Sequence, residues 1–203
     1  MNRTLSLARQ HSLSIILVTL IGVVASIGFT LLQTPQYRSS LTLLVLEQQN
    51  NLDGYTAAKA AERLSASLGQ LMYTTTFTDQ VYQRIKSSDL LANDLLFTIT
   101  DIKRQKLWKR SVETRIQPDV GMLHISVYHS NRAASTIMAN ALATVLVEQG
   151  TNYLGGGQDV QLKVVNYPLT TERPARPDVV LNVLAGLILG LGASLGYIAL
   201  AAM

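Results

Sequence analysis

Two uncharged apolar runs limit what the rest of this chain can be. Residues 13–32, LSIILVTLIGVVASIGFTLL, hold 20 positions without a charged side chain, and residues 179–203, VVLNVLAGLILGLGASLGYIALAAM, hold 25 more. A helix needs about 20 apolar residues to cross the hydrocarbon core of a bilayer, and both runs reach that length. The first follows Arg3 and Arg9, the charge order of a secretion signal. A cleavable apolar region, however, is about 7–15 residues long and ends in a small-x-small site. This run is longer and passes into LLQTPQY, so it reads as an uncleaved anchor. The second run is apolar on every side, and such a helix must be buried in something. The predicted layout is a tail at 1–12, transmembrane helices at 13–32 and 179–203, and a domain at 33–178 between them.

The tail carries Arg3, Arg9 and no acid, which favours a cytoplasmic N-terminus. Arg38, Arg173 and Arg176 flank the spans on the other side, but a loop this long escapes the positive-inside rule and the first helix usually decides. The expectation is therefore two cytoplasmic termini and an extracytoplasmic domain in the cytoplasmic (inner) membrane. On that layout nothing follows Met203 to serve as a cytoplasmic output domain.

The 146 residues of the middle segment are enough for one domain with its own core. It holds 15 of the 17 basic residues and all 13 acids, so its net charge is only +2 and gives no reason to expect nucleic acid as a partner. The absence of cysteine permits an oxidising compartment and removes thiol nucleophiles and thiolate metal sites.

QYRSSLTLLVL (36–46) is rich in Leu, Val and Thr and reads as a buried strand. EQQNNLDG breaks it, and YTAAKAAERLSASLGQLM (55–72) then places Tyr55, Ala58, Leu64, Leu68, Leu71 and Met72 at helical spacing. A second helix follows, with Phe77, Val81 and Ile85 at i, i+4 and i+8. DIKRQKLWKR (101–110) predicts a short basic helix, and SVETRIQP leads on to VGMLHISVY, which alternates as a strand. In SNRAASTIMANALATVLVEQG (130–150), Ser130 or Asn131 supplies a cap, Ile137, Leu142, Val145 and Leu146 a core face, and Gly150 the stop. A last strand, VQLKVVNYP, returns to the membrane. The order β-α-α-(α)-β-β-α-β predicts an α+β fold, a small mixed sheet with packed helices.

No catalytic or metal constellation emerges, and no cofactor is expected. His124 and His129 lie five apart on a strand and so face opposite ways. GGGQD (155–159) lacks the Lys-Ser/Thr and the strand–loop–helix frame of a phosphate loop and reads as a flexible turn. The basic cluster Lys103, Arg104, Lys106, Lys109 and Arg110 around Trp108 has two readings. One is a solvated helix face with Leu107 and Trp108 packed inward. The other is a contact for anionic lipid headgroups or a pyrophosphate-linked glycan carrier.

Pro168, Pro174 and Pro177 stand just ahead of the second span. Each fixes φ, removes a donor and holds its predecessor extended. PLTTERPARP is thus predicted to be a stiff non-helical strut, with Asp178 as N-cap of the span. The alternative is ordinary linker prolines. Gly186 with Gly190, Gly192 with Gly196, and Gly22 with Ser26 repeat small residues at a spacing of four. Small residues let helix backbones approach closely in lipid, so these positions are candidates for span packing and oligomerisation.

The plan of two spans around one domain, together with TPQYRSSLTLLV, HSNRAASTIMANALATVLVE and YPLTTERPARPDVVLNVLAGLILGLG, resembles the polysaccharide co-polymerase family, the Wzz-type chain-length determinant proteins of O-antigen, capsule and exopolysaccharide export. The resemblance implies a ring-like homo-oligomer in the cytoplasmic membrane that acts with a glycan polymerase on a lipid-linked glycan to set polymer length. It assigns the prolines to orienting the span and the glycines to packing it, and it implies no enzyme activity. Only TNYLGGG fills the interval that long-hairpin members expand, so a short form is expected. There is no ATP-binding loop or tyrosine-rich tail, which puts a cytoplasmic kinase partnership in doubt. The rival readings are a non-enzymatic scaffold subunit of another envelope complex and a two-span sensor, the latter lacking an output domain. A hydrolase or transferase lacks a site.

Overall fold

The structure is a computed structural model, and it describes residues 12–47, 53–86, 99–154 and 160–201. The chain divides into two units. One is the α/β domain Gln36–Pro174, and the other is built on the two terminal apolar helices. The elements are α1 (Ser12–Leu31), β1 (Tyr37–Glu47), α2 (Gly54–Leu71), α3 (Thr75–Lys86), α4 (Asp101–Ser111), β2 (Val112–Gln117), β3 (Met122–His129), α5 (Arg132–Leu154), β4 (Val160–Thr170) and α6 (Val179–Ala201).

The domain's four strands lie in the order β2-β3-β1-β4, and every neighbouring pair is antiparallel. The expected mixed sheet is thereby corrected. Helical crossovers do make β1 parallel to β2, and β3 parallel to β4. Each crossover steps over one strand, however, so an antiparallel strand fills the gap between the parallel ones. The result is the split βαβ arrangement of ferredoxin-like folds, with α2, α3 and α4 the helices of the first crossover among the described residues.

Alternation sorts the side chains by face. Leu41, Leu43 and Val45 of β1 and Leu123, Ile125 and Val127 of β3 point to one side and are buried. The helices cover that side with Leu68 of α2, Phe77, Val81 and Ile85 of α3, Trp108 of α4, and Met138, Leu142, Val145 and Leu146 of α5. Tyr55, expected on the core face of α2, is 70% exposed at the helix start. Among the described residues, no helix of the domain covers the opposite side of the sheet. The reading of β1 as a wholly buried strand thus holds for its odd-numbered residues and fails for Arg38, which is exposed on the even-numbered face.

Asn131 caps α5, its Oδ1 accepting from the Ala133 and Ala134 N–H groups at 2.9 and 3.3 Å. Gly150 does not stop this helix, which continues to Leu154. A Cβ at Gly150 would come within 2.6 Å of Leu162 Cδ1 on β4. A side chain there would need the end of Leu162 to shift, and the packing of α5 outweighs the roughly 1 kcal/mol that glycine costs inside a helix. Pro168 lies within β4, not in the strut. It occupies an edge strand next to two register shifts opposite Ser40, Thr42 and Leu43, where a missing N–H costs no ladder bond. The strut is reduced to residues 171–178, which are non-helical, with a cis Arg176–Pro177 peptide.

The turn joining β2 to β3 is pinned to α2. Lys59 Nζ meets Glu62 Oε2 at 2.9 Å and Asp119 Oδ1 at 2.6 Å, and the Asp119 N–H donates to Glu62 Oε2 at 3.2 Å. The Ser65 hydroxyl donates to the Gly121 carbonyl at 2.8 Å, and the Val45 N–H donates to the same oxygen at 3.0 Å. Asp119 and Gly121 are both left-handed, with φ of 60° and 65°.

Candidate functional site

The terminal unit holds two helices long and apolar enough to cross a membrane, Leu13–Leu31 and Val179–Tyr197. They pack on each other through small residues. A Cβ on Gly22 would fall 2.9 Å from the Gly186 carbonyl oxygen, and one on Gly190 would fall 2.8 Å from Thr19 Cα. Ser26 abuts Gly186, where a Cβ would meet the Ser26 Cβ at 2.6 Å. Polar groups lock the same seam. Ser26 Oγ donates to the Asn182 carbonyl, Asn182 Nδ2 donates to Thr30 Oγ1 at 3.0 Å, and Thr30 Oγ1 donates to the Ser26 carbonyl at 2.8 Å. In a bilayer such groups would have to satisfy one another, because no water would be available. Asn182 and Thr30 were not singled out in the sequence, although a polar residue in each apolar run was the available signal.

The four-residue repeats therefore separate. Gly22, Ser26, Gly186 and Gly190 meet across the helix pair, whereas a Cβ on Gly192 or Gly196 would contact nothing within 4 Å. Asp178 caps α6 through its Oδ1, which accepts from the Leu181 N–H at 3.0 Å. In the domain unit, Thr171 and Arg38 exchange hydrogen bonds, Thr171 N–H to the Arg38 carbonyl at 2.9 Å and Arg38 N–H to Thr171 Oγ1 at 3.2 Å. These bonds fix Thr171, the first residue of the remaining strut, to β1.

The basic cluster on α4 also divides. Trp108 is fully buried, donates its indole N–H to the Met72 carbonyl at 2.8 Å and meets Tyr82 edge-on with centroids 5.5 Å apart. Arg104 pairs with Asp79 and Asp101 and lies 5.3 Å above the Tyr82 ring. These two residues are part of the fold. Lys103, Lys106 and Lys109 recur every third residue and fall within about 120° of one another on the wheel, opposite Trp108. Ile102 lies on that outer side and is 83% exposed. Arg110 follows at the helix end. Leu107, expected to pack inward with Trp108, is 37% exposed.

The uncovered side of the sheet forms a polar cleft of about 680 Å³. Arg38 and Ser40 of β1, Glu113 and Arg115 of β2, and His124, Ser126 and Tyr128 of β3 project to this side. Cross-strand pairing places Arg38 opposite Tyr128, Ser126 opposite Glu113 and His124 opposite Arg115. A hydrogen-bonded row crosses all four strands. Asn166 Nδ2 donates to Thr42 Oγ1 at 3.4 Å, Thr42 Oγ1 meets His124 Nδ1 at 3.0 Å, and His124 Nε2 meets Gln117 Oε1 at 3.3 Å. The row runs in one direction when the imidazole carries its proton on Nε2. The Tyr128 hydroxyl donates to Glu113 Oε2 at 3.1 Å. The sequence signalled this face only through the polar alternation of Arg38, Ser40 and Thr42 with that of His124 and Ser126. His124 belongs to this face, and the His129 Nδ1 accepts instead from the Asn131 N–H at 3.0 Å.

No group of three or more His, Cys, Asp or Glu residues suited to a metal occurs among the described residues. The tail at 1–11, including His11, and GGGQD at 155–159 lie outside the described residues. No individual curated protein matches the chain. A family model does match, over the first apolar helix, β1, α2 and α3. Residues 5–95 are matched by Wzz, chain length determinant protein, the family that the sequence resembles.

Proposed function

We propose that this chain is a polysaccharide co-polymerase, a non-enzymatic protein that sets the length of a bacterial surface polysaccharide. The observation that carries the reading is the Wzz match over residues 5–95, which takes in the first apolar helix and the entry strand together. The paired apolar helices and the short, cysteine-free α/β domain fit the same plan. On this reading the two helices span the cytoplasmic membrane, the domain faces the extracytoplasmic side, and copies assemble as a ring beside a glycan polymerase acting on a lipid-linked glycan. Gly22, Ser26, Gly186 and Gly190 hold the two spans together. Gly192 and Gly196 are left for contacts between copies, and Pro174 and Pro177 stiffen the link to the span. Lys103, Lys106 and Lys109 form the surface offered to anionic lipid or carrier headgroups.

The test is the length distribution of surface polysaccharide, read on a gel from the host with and without the gene. The expected result is a modal length that collapses to a short random ladder on deletion, with Pro174→Ala plus Pro177→Ala reproducing part of the loss. An unchanged distribution in a host with no second family member rejects the reading and leaves an envelope scaffold.

A further inference from the structure

We propose that the uncovered face of the sheet is a binding site for an acidic oligosaccharide, with Arg38 and Arg115 taking its carboxylates and the polar side chains between and beside them taking its hydroxyls. The inference rests on the co-polymerase reading and names the chemistry of the chain's glycan contact within the domain. Its basis is the cleft itself, which is roomy and polar and is floored by a sheet that other side chains hold rigid.

The charge pattern selects the ligand class. Glu113 is engaged by the Tyr128 hydroxyl, whereas neither Arg38 nor Arg115 forms an ion pair among the described residues. Both are exposed. They sit at diagonal corners, four residues apart along β3 and two strands apart across it. Strand geometry puts their backbones about 17 Å apart, from ~3.4 Å per residue and ~4.8 Å per strand. That separation exceeds a single sugar ring and fits a chain of several. A nucleic acid would instead call for a continuous run of cations to match its dense phosphates.

Between and beside the arginines the surface offers hydroxyl, amide and imidazole groups. The Ser40 and Ser126 hydroxyls, 3.4 Å apart, lie at the level between Arg38 and Arg115, and the Asn166–Thr42–His124–Gln117 row starts level with Arg115. Such groups donate and accept alternately, as the hydroxyls of a saccharide require. The row's internal bonds keep these side chains in place before a ligand arrives, which lowers the ordering cost of binding. A protein partner would be expected to find a buried aromatic or aliphatic anchor at the centre of its site. Among the described residues lining the cleft, the aromatic Tyr128 is only 7% exposed with its hydroxyl already committed, and the exposed Leu169 of this face stands on the edge strand β4 opposite Ser40, outside the cleft lining. The guanidinium groups suit carboxylates because their planar forks can bind both oxygens at once.

The experiment is calorimetric titration of the full chain in lipid nanodiscs with oligogalacturonate, with maltoheptaose as the neutral probe and inorganic phosphate as the bare anion. Oligogalacturonate is expected to bind and maltoheptaose to bind at least tenfold more weakly. Arg38→Gln and Arg115→Gln should each weaken oligogalacturonate at least tenfold, and Arg63→Gln, which removes an exposed cation from α2 on the other side of the sheet, should leave it unchanged. Both arginines are exposed, and unaltered Trp108 emission verifies that the variants fold. The proposal is overturned by absent oligogalacturonate binding, by equal binding to the double arginine variant, or by equal loss in the Arg63→Gln variant. It is also overturned if phosphate competes at matched charge, or if Ser126→Cys chains cross-link as dimers through this face, which would show a second copy covering it. Surface-polysaccharide gels separate the two readings. If gene deletion alters the distribution while the chain binds no oligogalacturonate, the face fails and the co-polymerase reading stands. If deletion leaves the distribution unchanged, the co-polymerase reading fails whatever the titration shows.

Discussion

Replacing Gly121 by alanine probes how the sheet's turn is held to α2. Gly121 is left-handed at φ 65°, and a Cβ there would lie 2.6 Å from the Ala61 Cβ and 2.9 Å from the Val45 carbonyl oxygen. The left-handed backbone costs a non-glycine residue about 1–2 kcal/mol. Crowding against packed atoms adds about 1–3 kcal/mol, and one of the two neighbours is backbone that cannot rotate away. The smaller unfolded-state entropy of alanine returns about 0.4–1 kcal/mol. The net expectation is a loss of about 1–4.5 kcal/mol. For a domain of this size that is a fall in melting temperature of roughly 3–20 °C. Gly54→Ala is the matched control, since a Cβ at the start of α2 meets nothing within 4 Å. It should gain about 0.4–1 kcal/mol. The assay is urea unfolding of the full chain in detergent, read by emission of the single tryptophan, Trp108, which lies in the domain core and so reports that unit. A Gly121→Ala midpoint indistinguishable from the parent, or a Gly54→Ala loss as large, refutes the reasoning.

Three further outcomes are expected. Trp108→Ala should destabilise the domain by about 3–5 kcal/mol, measured by circular dichroism, and in the parent Trp108 should resist quenching by iodide and by brominated lipid. Those quenchers reaching it freely would return Trp108 to the membrane interface. Gly190→Ala, whose Cβ would sit 2.8 Å from Thr19 Cα, should push the spans apart by about 1 Å to reach ordinary contact, whereas Gly192→Ala should not. Spin labels at Leu13→Cys and Tyr197→Cys, in a chain otherwise free of cysteine, would read that distance, and equal effects of the two substitutions would contradict the helix pairing. The third concerns pH. Glu62 is held below its ordinary value of 4.5, first by the hydrogen bond from Lys59 and next by the Asp119 N–H. A lowered carboxylate stabilises the fold fully above 4.5, and that contribution is lost as pH falls from there through the lowered value. Lys59 is raised, first by Asp119 and then by Glu62, so its contribution persists below 10.5 and fades only at more alkaline pH. The stability difference between parent and Glu62→Gln should therefore shrink below pH 4.5 and stay level from there to neutrality, and a difference that grows on acidification would contradict the sign.

Local pattern determined much of this protein. Charge-free length marked both apolar helices, and the i, i+4, i+8 spacing of Phe77, Val81 and Ile85 marked α3 and its buried face. Alternation marked β3, and the Asp178 and Asn131 caps were legible because a cap is a contact within three residues of chain. Tertiary structure decided what distant segments do to one another. The crossovers stepped over a strand and made an antiparallel sheet of what local order suggested was mixed. Packing of α5 on β4 carried the helix through Gly150, and the bulged edge took Pro168 from the strut. Trp108 went into the core because α3 and α2 supplied Tyr82 and the Met72 carbonyl from 26 and 36 residues away. Only the pairing of the spans separated Gly22, Gly186 and Gly190 from Gly192 and Gly196, which repeat at the same spacing. Likewise, only the register of β1, β2 and β3 gathered Arg38, Arg115 and His124 on one face. Hydropathy and period are properties of neighbours along the chain, whereas strand order, register and close approach are free-energy minima over residues as far as about 170 positions apart, as in the 82-residue separation of Thr42 from His124.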